Sequence, residues 1–238
     1  SMARAYLTEF DATEEDFAKV AVKNHQNGLL NPKAHLQKNI TIDDVMNSAV
    51  VASPLKLYDC CPFSDGASSV VLCSEKFAKA HGGDYVEVIG SGRGGSPAAL
   101  QGREHMTTIP STKIAAQAAY DMAGITAKDI DFAEVHDCFT IAEVVDTEDL
   151  GFFGKGEGIQ AIREDRTKLN SDISINPSGG LKSKGHPIGA TGVGQVVEVF
   201  DQLTGKAGAR TVKDAKVGLT HNFGATGASC AVHVFQSV

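Results

Sequence analysis

The sequence predicts an α/β protein in which helices cover the faces of a β-sheet. Two observations lead to this prediction. From about residue 51 onward, β-branched runs alternate with segments of helical period, a rhythm that builds layered sheets with helices on them. The chain also has 238 residues, of which 42% are hydrophobic and 21% charged, and a globular chain of this length and composition can bury a sizeable core.

Five apolar, β-branched runs bounded by glycine or polar residues are predicted as strands. They cover residues 69–74, 85–91, 131–136, 216–221 and 229–235. The last two runs are separated by the glycine-rich stretch NFGATGA, so we expect them to form a hairpin with that stretch at its tip. Helical periodicity predicts three helices between these strands, over residues 111–123, 140–150 and 190–203.

The first fifty residues have a different character. Residues 13–24 read as a helix, because Thr13 can cap its N-terminus and the three acidic residues that follow suit its positive end. A polar stretch broken by Asn31-Pro32 comes next and ends in a short capped helix near residues 41–47. We interpret this first segment as a lid or excursion and not as part of the core.

Charge and cysteine content exclude several function classes. The 22 basic and 29 acidic residues give a net charge of −7 without a basic cluster, so there is no nucleic-acid footprint. The apolar runs stop far short of the roughly 20 residues that a membrane-spanning helix needs. The five cysteines lack zinc-ligand spacing and no signal-peptide pattern opens the chain, which predicts reduced thiols. We expect a cytoplasmic protein, or a peroxisomal one in a eukaryote.

Three short motifs, VHDCFT, GHPIGATG and HNFGATG, each lie at the end of a predicted element, where loops can converge on one pocket. A lone cysteine or histidine in such a position is most often structural. Together the motifs favour a thiol-and-imidazole site, because imidazole can activate a thiol and glycine N–H groups can stabilise an oxyanion. The glycine spacing in GATGVG does not follow a strand, which argues against dinucleotide binding.

These motifs also carry a family resemblance. NPSGGLKSKGHPIGATG resembles the histidine motif of the thiolase superfamily. HDCF, in place of the usual asparagine-glutamate motif, resembles the sterol-carrier-protein-type thiolases and their archaeal and bacterial acetyl-CoA acetyltransferase relatives. The resemblance extends over nearly the whole chain, because four further stretches occur in the family's order. They are NHQNGLLNP, DCCPFSDGAS, HDCFTIAEVVDTEDLGFF and HNFGATG.

The resemblance implies a layered αβαβα fold of two similar mixed-sheet halves, with a loop domain inserted in the first half. On that pattern residues 3–53 belong to the loop domain and 54–82 to the last strand region of the N-terminal half. Residues 83–238 then form the C-terminal thiolase domain. The family's acylated cysteine comes from the part of the N-terminal half expected before Ala3, so we expect the chain alone to be inactive.

The resemblance also implies roles for individual residues. His186 resembles the histidine that activates the nucleophilic thiol and then helps to hold the thioester oxygen, and His136 resembles the residue that completes this oxyanion site through water. Cys138 resembles the acid/base cysteine that removes the α-proton of the second acyl-CoA. Gly224 is expected to offer its N–H to a second oxyanion site. Most thiolases carry the acid/base cysteine in the last loop, at the position where Asn222 lies here. Asn222 is therefore included among the candidate catalytic residues, and Cys138 has to take over the acid/base role.

Coenzyme A enters this scheme as the thioester substrate, and no metal or other cofactor is expected. Lys33 and His35, in a segment rich in lysine and histidine, are candidates for contacting its phosphates, and a solvated basic face is the open alternative. Ser64 is a weaker contact candidate. Cys61 either borders the pantetheine channel or is simply buried.

The favoured function is Claisen condensation or thiolytic cleavage of 3-ketoacyl-CoA. Two alternatives stay open: a lipid-transfer or steroid side-chain aldolase-type relative, and a non-catalytic subunit that channels acyl-CoA. The family implies a homodimer or tetramer at full length, and the alternatives imply an OB-fold partner or a synthase. Cys138 beside His136 and His186 favours thiolase chemistry over the alternatives.

Overall fold

The computed structural model describes all residues from 1 to 238 and contains nine α-helices and seven β-strands. The helices are α1 (Met2–Glu9), α2 (Glu14–Leu29), α3 (Ile42–Met46), α4 (Glu75–His81), α5 (Pro110–Ala123), α6 (Thr140–Asp149), α7 (Gly158–Arg163), α8 (Gly180–Ser183) and α9 (Thr191–Leu203). The strands are β1 (Val50–Ala52), β2 (Leu55–Lys56), β3 (Val86–Gly95), β4 (Phe132–Glu134), β5 (Ser174–Ile175), β6 (Val217–Gly224) and β7 (Ser229–Ser237). Every predicted element except the strand at residues 69–74 is confirmed, with shifted ends.

Five of the strands form one mixed sheet in the order β3-β7-β6-β4-β5, and β1 pairs with β2 in a separate sheet. β6 and β7 are antiparallel and pair out to Gly224 and Ser229, which confirms the predicted hairpin. β4 runs parallel to both β5 and β6. The carboxyl ends of these three strands therefore meet at one edge of the sheet, where α/β proteins commonly bind ligands. VHDCFT begins where β4 ends, GHPIGATG follows β5 and α8, and HNFGATG spans the end of β6 and the hairpin tip, so the topology brings all three motifs to this edge.

Helix α5 packs on one face of the sheet at very short range. Gly90, Gly92 and Gly94 of β3 face the helix, and a Cβ added at Gly92 would lie 2.8 Å from the backbone nitrogen of Ala119 and closer still to the carbonyl oxygen of Ala115. These glycines therefore set the distance between helix and sheet. The fully buried core between them includes Ala119, Ala133, Leu219, Val232 and Val234.

Helix α9 covers the opposite face of the same sheet. Phe132 of β4 and Phe235 of β7 alternate with the residues of the first core and pack against Val199 of α9 and Val212. Because side chains of a strand point alternately to its two faces, the sheet is buried on both sides. This is the helix-covered sheet that the sequence predicts.

The N-terminal helices pack onto the rest of the chain. Tyr6 of α1 and Phe17 and Val20 of α2 are buried in one cluster with Ile141 and Val144 of α6. The expectation that the first segment is a lid outside the core is therefore wrong for α1 and α2. The apolar stripe that predicts the second helix is the face that it buries against α6.

The predicted strand at residues 69–74 is wrong for this structure. Residues 64–74 form no helix or strand, and Val71 and Leu72 are 90% and 79% exposed. No strand of either sheet lies beside them. A β-branched run is stabilised as a strand by its paired neighbours and a covered face, and this run has neither. We call residues 65–74 the open segment.

Several short elements are not foreseen by the sequence, namely α1, α4, α7, α8, β1, β2 and β5. They have too few residues to display a clear period, so tertiary packing decides them. All five cysteines are free thiols. None of the helices combines the length and the apolar character required for crossing a membrane.

Candidate active site

His136 lies in the loop that connects β4 to α6, which we call the His136 loop (residues 135–139). Its side chain is buried, and its Nδ1 lies 2.8 Å from Oδ1 of Asn222 on β6. Asn222 in turn donates through Nδ2 to Gln195 of α9, which leaves Oδ1 as the acceptor that faces His136. Nδ1 of His136 therefore carries the proton and Nε2 has a free lone pair. Asn222, a predicted catalytic residue, here orients the imidazole of His136.

Burial, opposed by the hydrogen bond to Asn222 and assisted by the neighbouring His186, lowers the pKa of His136 to about 4. The imidazole is therefore neutral near pH 7. A neutral ring whose Nδ1–H is bonded to Asn222 can only accept at Nε2. It can hold a water molecule at that nitrogen, but it cannot itself donate to an oxyanion.

His186 lies in the loop between α8 and α9, which we call the His186 loop (residues 184–190). The hydroxyl of Thr191 donates to the carbonyl of Pro187 at 3.1 Å and so accepts from Nδ1 of His186 at 2.8 Å. This assignment leaves the lone pair of His186 on Nε2. Burial, followed by the charge of Lys184, lowers the pKa of His186. The ring is therefore poised as a neutral base.

The two imidazoles are neighbours. Their ring centroids are 5.1 Å apart and the ring planes meet at 86°. Phe223, next to Asn222 on β6, covers His136 with a centroid distance of 4.6 Å. The structure thus brings together His136, His186 and Asn222, three of the five residues that the sequence assigns to catalysis.

A short bridging segment, residues 60–64, contacts both histidine loops. Cys61 donates its backbone N–H to the carbonyl of Cys138 at 3.0 Å, and Phe63 forms a parallel bridge with His186. The Ser64 hydroxyl accepts the backbone N–H of His186 at 3.1 Å. Cys61 and Ser64, predicted as coenzyme A contacts, therefore position the two loops relative to each other.

Cys138 follows His136 by two residues and is half-buried. Burial raises the pKa of its thiol, and the carboxyls and thiols around it, with Asp146 first and Cys61 next, raise it further. The thiol therefore stays protonated near pH 7. Cys138 thus holds a proton at rest, and it can accept another only after it has given that proton to a more basic group and become a thiolate.

Gly224 stands at the exposed tip of the β6–β7 hairpin. A Cβ added there would find no heavy atom within 4 Å, so the space beside this backbone is open. The turn behind it is firmly held, because the hydroxyls of Ser96 and Ser111 both donate to the carbonyl of Gly227 at 2.6 Å. Arg103 donates to the carbonyl of Thr226 in the same turn.

A cavity of about 450 Å³ opens beside the His186 loop. Lys33, His35 and Ser64, three of the predicted coenzyme A contacts, line it together with Lys184 and Arg210. His35 and Ser64 are bonded to each other, with 2.9 Å between Nδ1 and Oγ. The fourth candidate, Cys61, is not part of this lining and lies in the bridging segment instead.

A third histidine, His221, is fully buried and lies behind His136. Nε2 of His221 is 2.9 Å from the hydroxyl of Thr112, and its Nδ1 is 3.5 Å from a carboxyl oxygen of Asp146. Burial lowers the pKa of His221 to about 3 and raises that of Asp146 well above its ordinary value. Both groups are therefore neutral near pH 7.

Sequence reasoning missed Thr191, Gln195 and Asp137, which fix the two imidazoles and their loops. Thr191 lies in the GHPIGATG motif itself, where a hydroxyl five residues after the histidine is a signal for its orientation. Gln195 carries no such signal. No group of three or more histidine, cysteine, aspartate or glutamate side chains is arranged to hold a metal ion.

Two family models match this chain. Residues 92–237 match the thiolase C-terminal domain-like model, and residues 1–76 match the thiolase N-terminal domain model. The two imidazoles and the thiol at the sheet edge thus lie within the region that matches the thiolase C-terminal domain-like model. The chain belongs to the thiolase family.

Individual relatives agree with this assignment. An acetyl-CoA acetyltransferase of Methanothermobacter thermautotrophicus is 47% identical over 99% of this chain and 61% of its own length. Sterol carrier protein 2 of Bos taurus is 38% identical over 94% of this chain and 42% of its own length. A solved structure titled Ltp2-ChsH2(DUF35) aldolase superposes with a TM-score of 0.89 at 26% identity, covering 99% of this chain and 62% of that one. The chain thus spans about three-fifths or less of the lengths of these relatives.

Proposed function

We propose that this chain carries the histidine and second-cysteine part of an acyl-CoA thiolase site, for Claisen condensation or thiolytic cleavage of 3-ketoacyl-CoA. The observation that carries the proposal is the pair of adjacent imidazoles, His136 and His186, 5.1 Å apart. Each donates through Nδ1 to a positioned oxygen and keeps a lone pair at Nε2. The naming of the 47% identical relative as an acetyl-CoA acetyltransferase supports the same chemistry.

In this mechanism His186 takes the proton of the nucleophilic thiol through Nε2. Its lowered pKa keeps the ring neutral beforehand, and Thr191 holds the tautomer that this step needs. The protonated ring can then donate to the thioester oxygen. We propose that the acylated thiol is none of the five cysteines of this chain, so residues 1–238 alone should not turn over.

His136 acts on the same oxygen through a water molecule. Because its pKa is about 4 and Nδ1–H is bonded to Asn222, its Nε2 can accept from water, which then donates its other hydrogen to the oxyanion. Asn222 serves this step by fixing the ring. The glycines around both loops allow a thioester to come close to the backbone.

Cys138 supplies the second proton transfer. It takes the α-proton of the second acyl-CoA and returns a proton to the leaving thiolate. Burial raises its pKa, so the resting thiol is protonated and first gives its proton to the coenzyme A thiolate that leaves when the nucleophile is acylated. The Cys138 thiolate formed in this way is a strong base because of the raised pKa, and it then removes the α-proton. The resulting enolate has to be held by a hydrogen bond. We assign that hydrogen bond to the N–H of Gly224, which borders open space.

For the rest of the molecule we propose the family's organisation. Residues 3–53 form the loop-domain segment, 54–82 the end of the N-terminal half, where the family's last strand would lie but residues 69–74 form no strand here, and 83–238 the C-terminal domain. Coenzyme A enters through the cavity beside the His186 loop, with Lys33 and His35 toward its phosphates and Ser64 as a further contact. Cys61 lies outside this lining and borders the pantetheine channel. A homodimer or tetramer is the assembly expected of the whole protein.

The test uses a chimera in which residues 1–238 replace the matching region of the Methanothermobacter thermautotrophicus relative, which restores that relative's length. We expect thiolysis of acetoacetyl-CoA, and a loss of about 100-fold or more in His186→Ala and in Cys138→Ala. Cys73→Ala is the matched control, because Cys73 is exposed and lies outside the site. A chimera that folds but cleaves nothing, or a Cys138→Ala chimera with full activity, would contradict the proposal.

A second candidate is an aldolase-type relative that works with a DUF35 partner. The solved structure with the TM-score of 0.89 is titled as such an aldolase, which is compatible with an OB-fold partner. Retention of Cys138 beside the two histidines favours thiolase chemistry. Copurification of the chain with a DUF35 protein, with aldol cleavage in place of thiolysis, would favour this candidate instead.

A further inference from the structure

Asp137, between His136 and Cys138, has no exposure to solvent, and its carboxylate contacts two other elements of the chain. Oδ1 accepts a hydrogen bond from the N–H of Leu181 at 2.6 Å. Oδ2 accepts one from the side-chain amide of Asn24 at 2.7 Å. Leu181 belongs to α8, which leads directly into the His186 loop, and Asn24 belongs to α2. One carboxylate therefore joins the His136 loop, the helix that leads into the His186 loop, and helix α2.

Gly180, next to Leu181, is shaped around this carboxylate. Its φ is +59°, and a Cβ added there would lie 2.7 Å from Oδ1 of Asp137 and closer still to Oδ2. The carboxylate thus occupies the space that a side chain at Gly180 would need. Gly179 has the same role on the other side, because its Cβ would lie 2.7 Å from the Cα of Gly28 on α2. Because neither glycine of the NPSGG motif has a side chain, the start of α8 can lie close to both Asp137 and α2.

The amide of Asn24 cannot rotate freely. Its Nδ2 also donates to Oε2 of Glu143 at 2.8 Å, and Glu143 is paired with Lys23 at 2.6 Å. A flipped amide would direct its oxygen at two carboxylates, so the donor is held toward Asp137. Fully buried hydrogen bonds to a carboxylate are among the stronger ones in proteins, which makes this a firm anchor.

We propose that Asp137 is a positioning residue whose carboxylate holds the His136 loop and the His186 loop in register, with Gly180 kept free of a side chain for that purpose. The inference rests on the proposed function, because the residues that it positions are those assigned to the reaction. Asp137 itself touches no substrate, since it is 0% exposed. It acts through the backbone on either side of it.

The test follows alkylation of Cys138 by iodoacetamide at pH 8 in this chain, by peptide mass spectrometry. Two other thiols are internal controls: exposed Cys73 reports the reagent, and buried Cys230 reports global unfolding. Asp137→Asn keeps the side-chain volume but turns one acceptor into a donor that faces another donor. We expect Cys138 to react about tenfold faster or more, with Cys73 and Cys230 unchanged.

Gly180→Ala tests the same contact from the other loop. It should raise the Cys138 rate by a similar factor, although residue 180 is more than 40 positions away along the chain. Gly124→Ala is the matched control, because Gly124 has a φ of +69° but no heavy atom within 4 Å of an added Cβ. The double variant Asp137→Asn/Gly180→Ala should react no faster than either single variant, because both break one contact.

An unchanged Cys138 rate in Asp137→Asn, a rise that Cys230 shares, or additive effects in the double variant would each overturn the proposal. If Gly180→Ala does not fold, Asn24→Ser replaces it, since that change removes the donor to Oδ2 of Asp137. These rates require no turnover. A failure of the proposed thiolase reaction would therefore leave the answer about Asp137 intact.

Discussion

Two segments of similar composition, SVVLCS at residues 69–74 and SCAVHVF at residues 229–235, differ completely in the structure. The second is β7, paired by β3 on one side and β6 on the other, and its Val232 is 0% exposed. The first lies in the open segment, where Val71 is 90% exposed. Both have the β-branched residues that favour strands. The difference teaches that such a run becomes a strand only where partners exist on its edges and a layer covers its face.

Thiol reactivity should show the largest difference between the two segments, because each contains one cysteine. Burial raises the pKa of Cys230 to about 12, while Cys73 is exposed. Since the thiolate is the reactive form, iodoacetamide at pH 8 should alkylate Cys230 about a thousand times more slowly than Cys73. Time-resolved mass spectrometry of the native protein measures both rates. If Cys73 and Cys230 are alkylated equally slowly, the open segment is covered in solution, and the stated difference between the two segments is wrong.

The next largest effect should come from the backbone packing of β3, the strand that pairs with β7. Gly92→Ala places a methyl group against the carbonyl of Ala115 in α5, and neither backbone can move without disturbing the sheet. We expect a loss of about 3 kcal/mol in the free energy of unfolding, measured by urea denaturation. Gly95→Ala, on the same strand with its nearest heavy atom at 3.9 Å, is the matched control and should cost far less. If Gly92→Ala lowers the free energy of unfolding no more than Gly95→Ala does, the glycines of β3 do not determine the distance between α5 and the sheet.

The same dependence of strands on paired neighbours decides which parts of the fold can be predicted from the sequence. The hairpin of β6 and β7 is predictable, because two alternating runs with a glycine-rich tip are adjacent in sequence. The strand β5 has only two residues, Ser174 and Ile175, and exists because β4 lies beside it. The lid interpretation of the first segment fails for a related reason: the apolar stripe of α2 predicts a buried face, but not what covers it.

The site divides along similar lines. His136, His186 and Asn222 come together because their motifs follow neighbouring strands, which sequence motifs can indicate. The groups that hold them cannot be predicted in this way. Asn24 reaches Asp137 across 113 positions of the chain, and Lys23 reaches Glu143 across 120. Such contacts depend on where α2 packs, and no local pattern encodes that packing.

The smallest expected effect belongs to the open segment itself. Val71→Ser replaces an apolar side chain that is 90% exposed, so the free energy of unfolding should change by no more than about 0.5 kcal/mol. Val232→Ser, the matched change in β7, removes buried methyl groups and buries a hydroxyl, and should cost about 3 kcal/mol. Urea denaturation of both variants measures the pair. A loss above about 1 kcal/mol from Val71→Ser would mean that residue 71 is buried in solution, because an exposed valine has no packing to lose. Residues 69–74 and β7 would then both be covered in solution, and they would differ only in the groups that cover them.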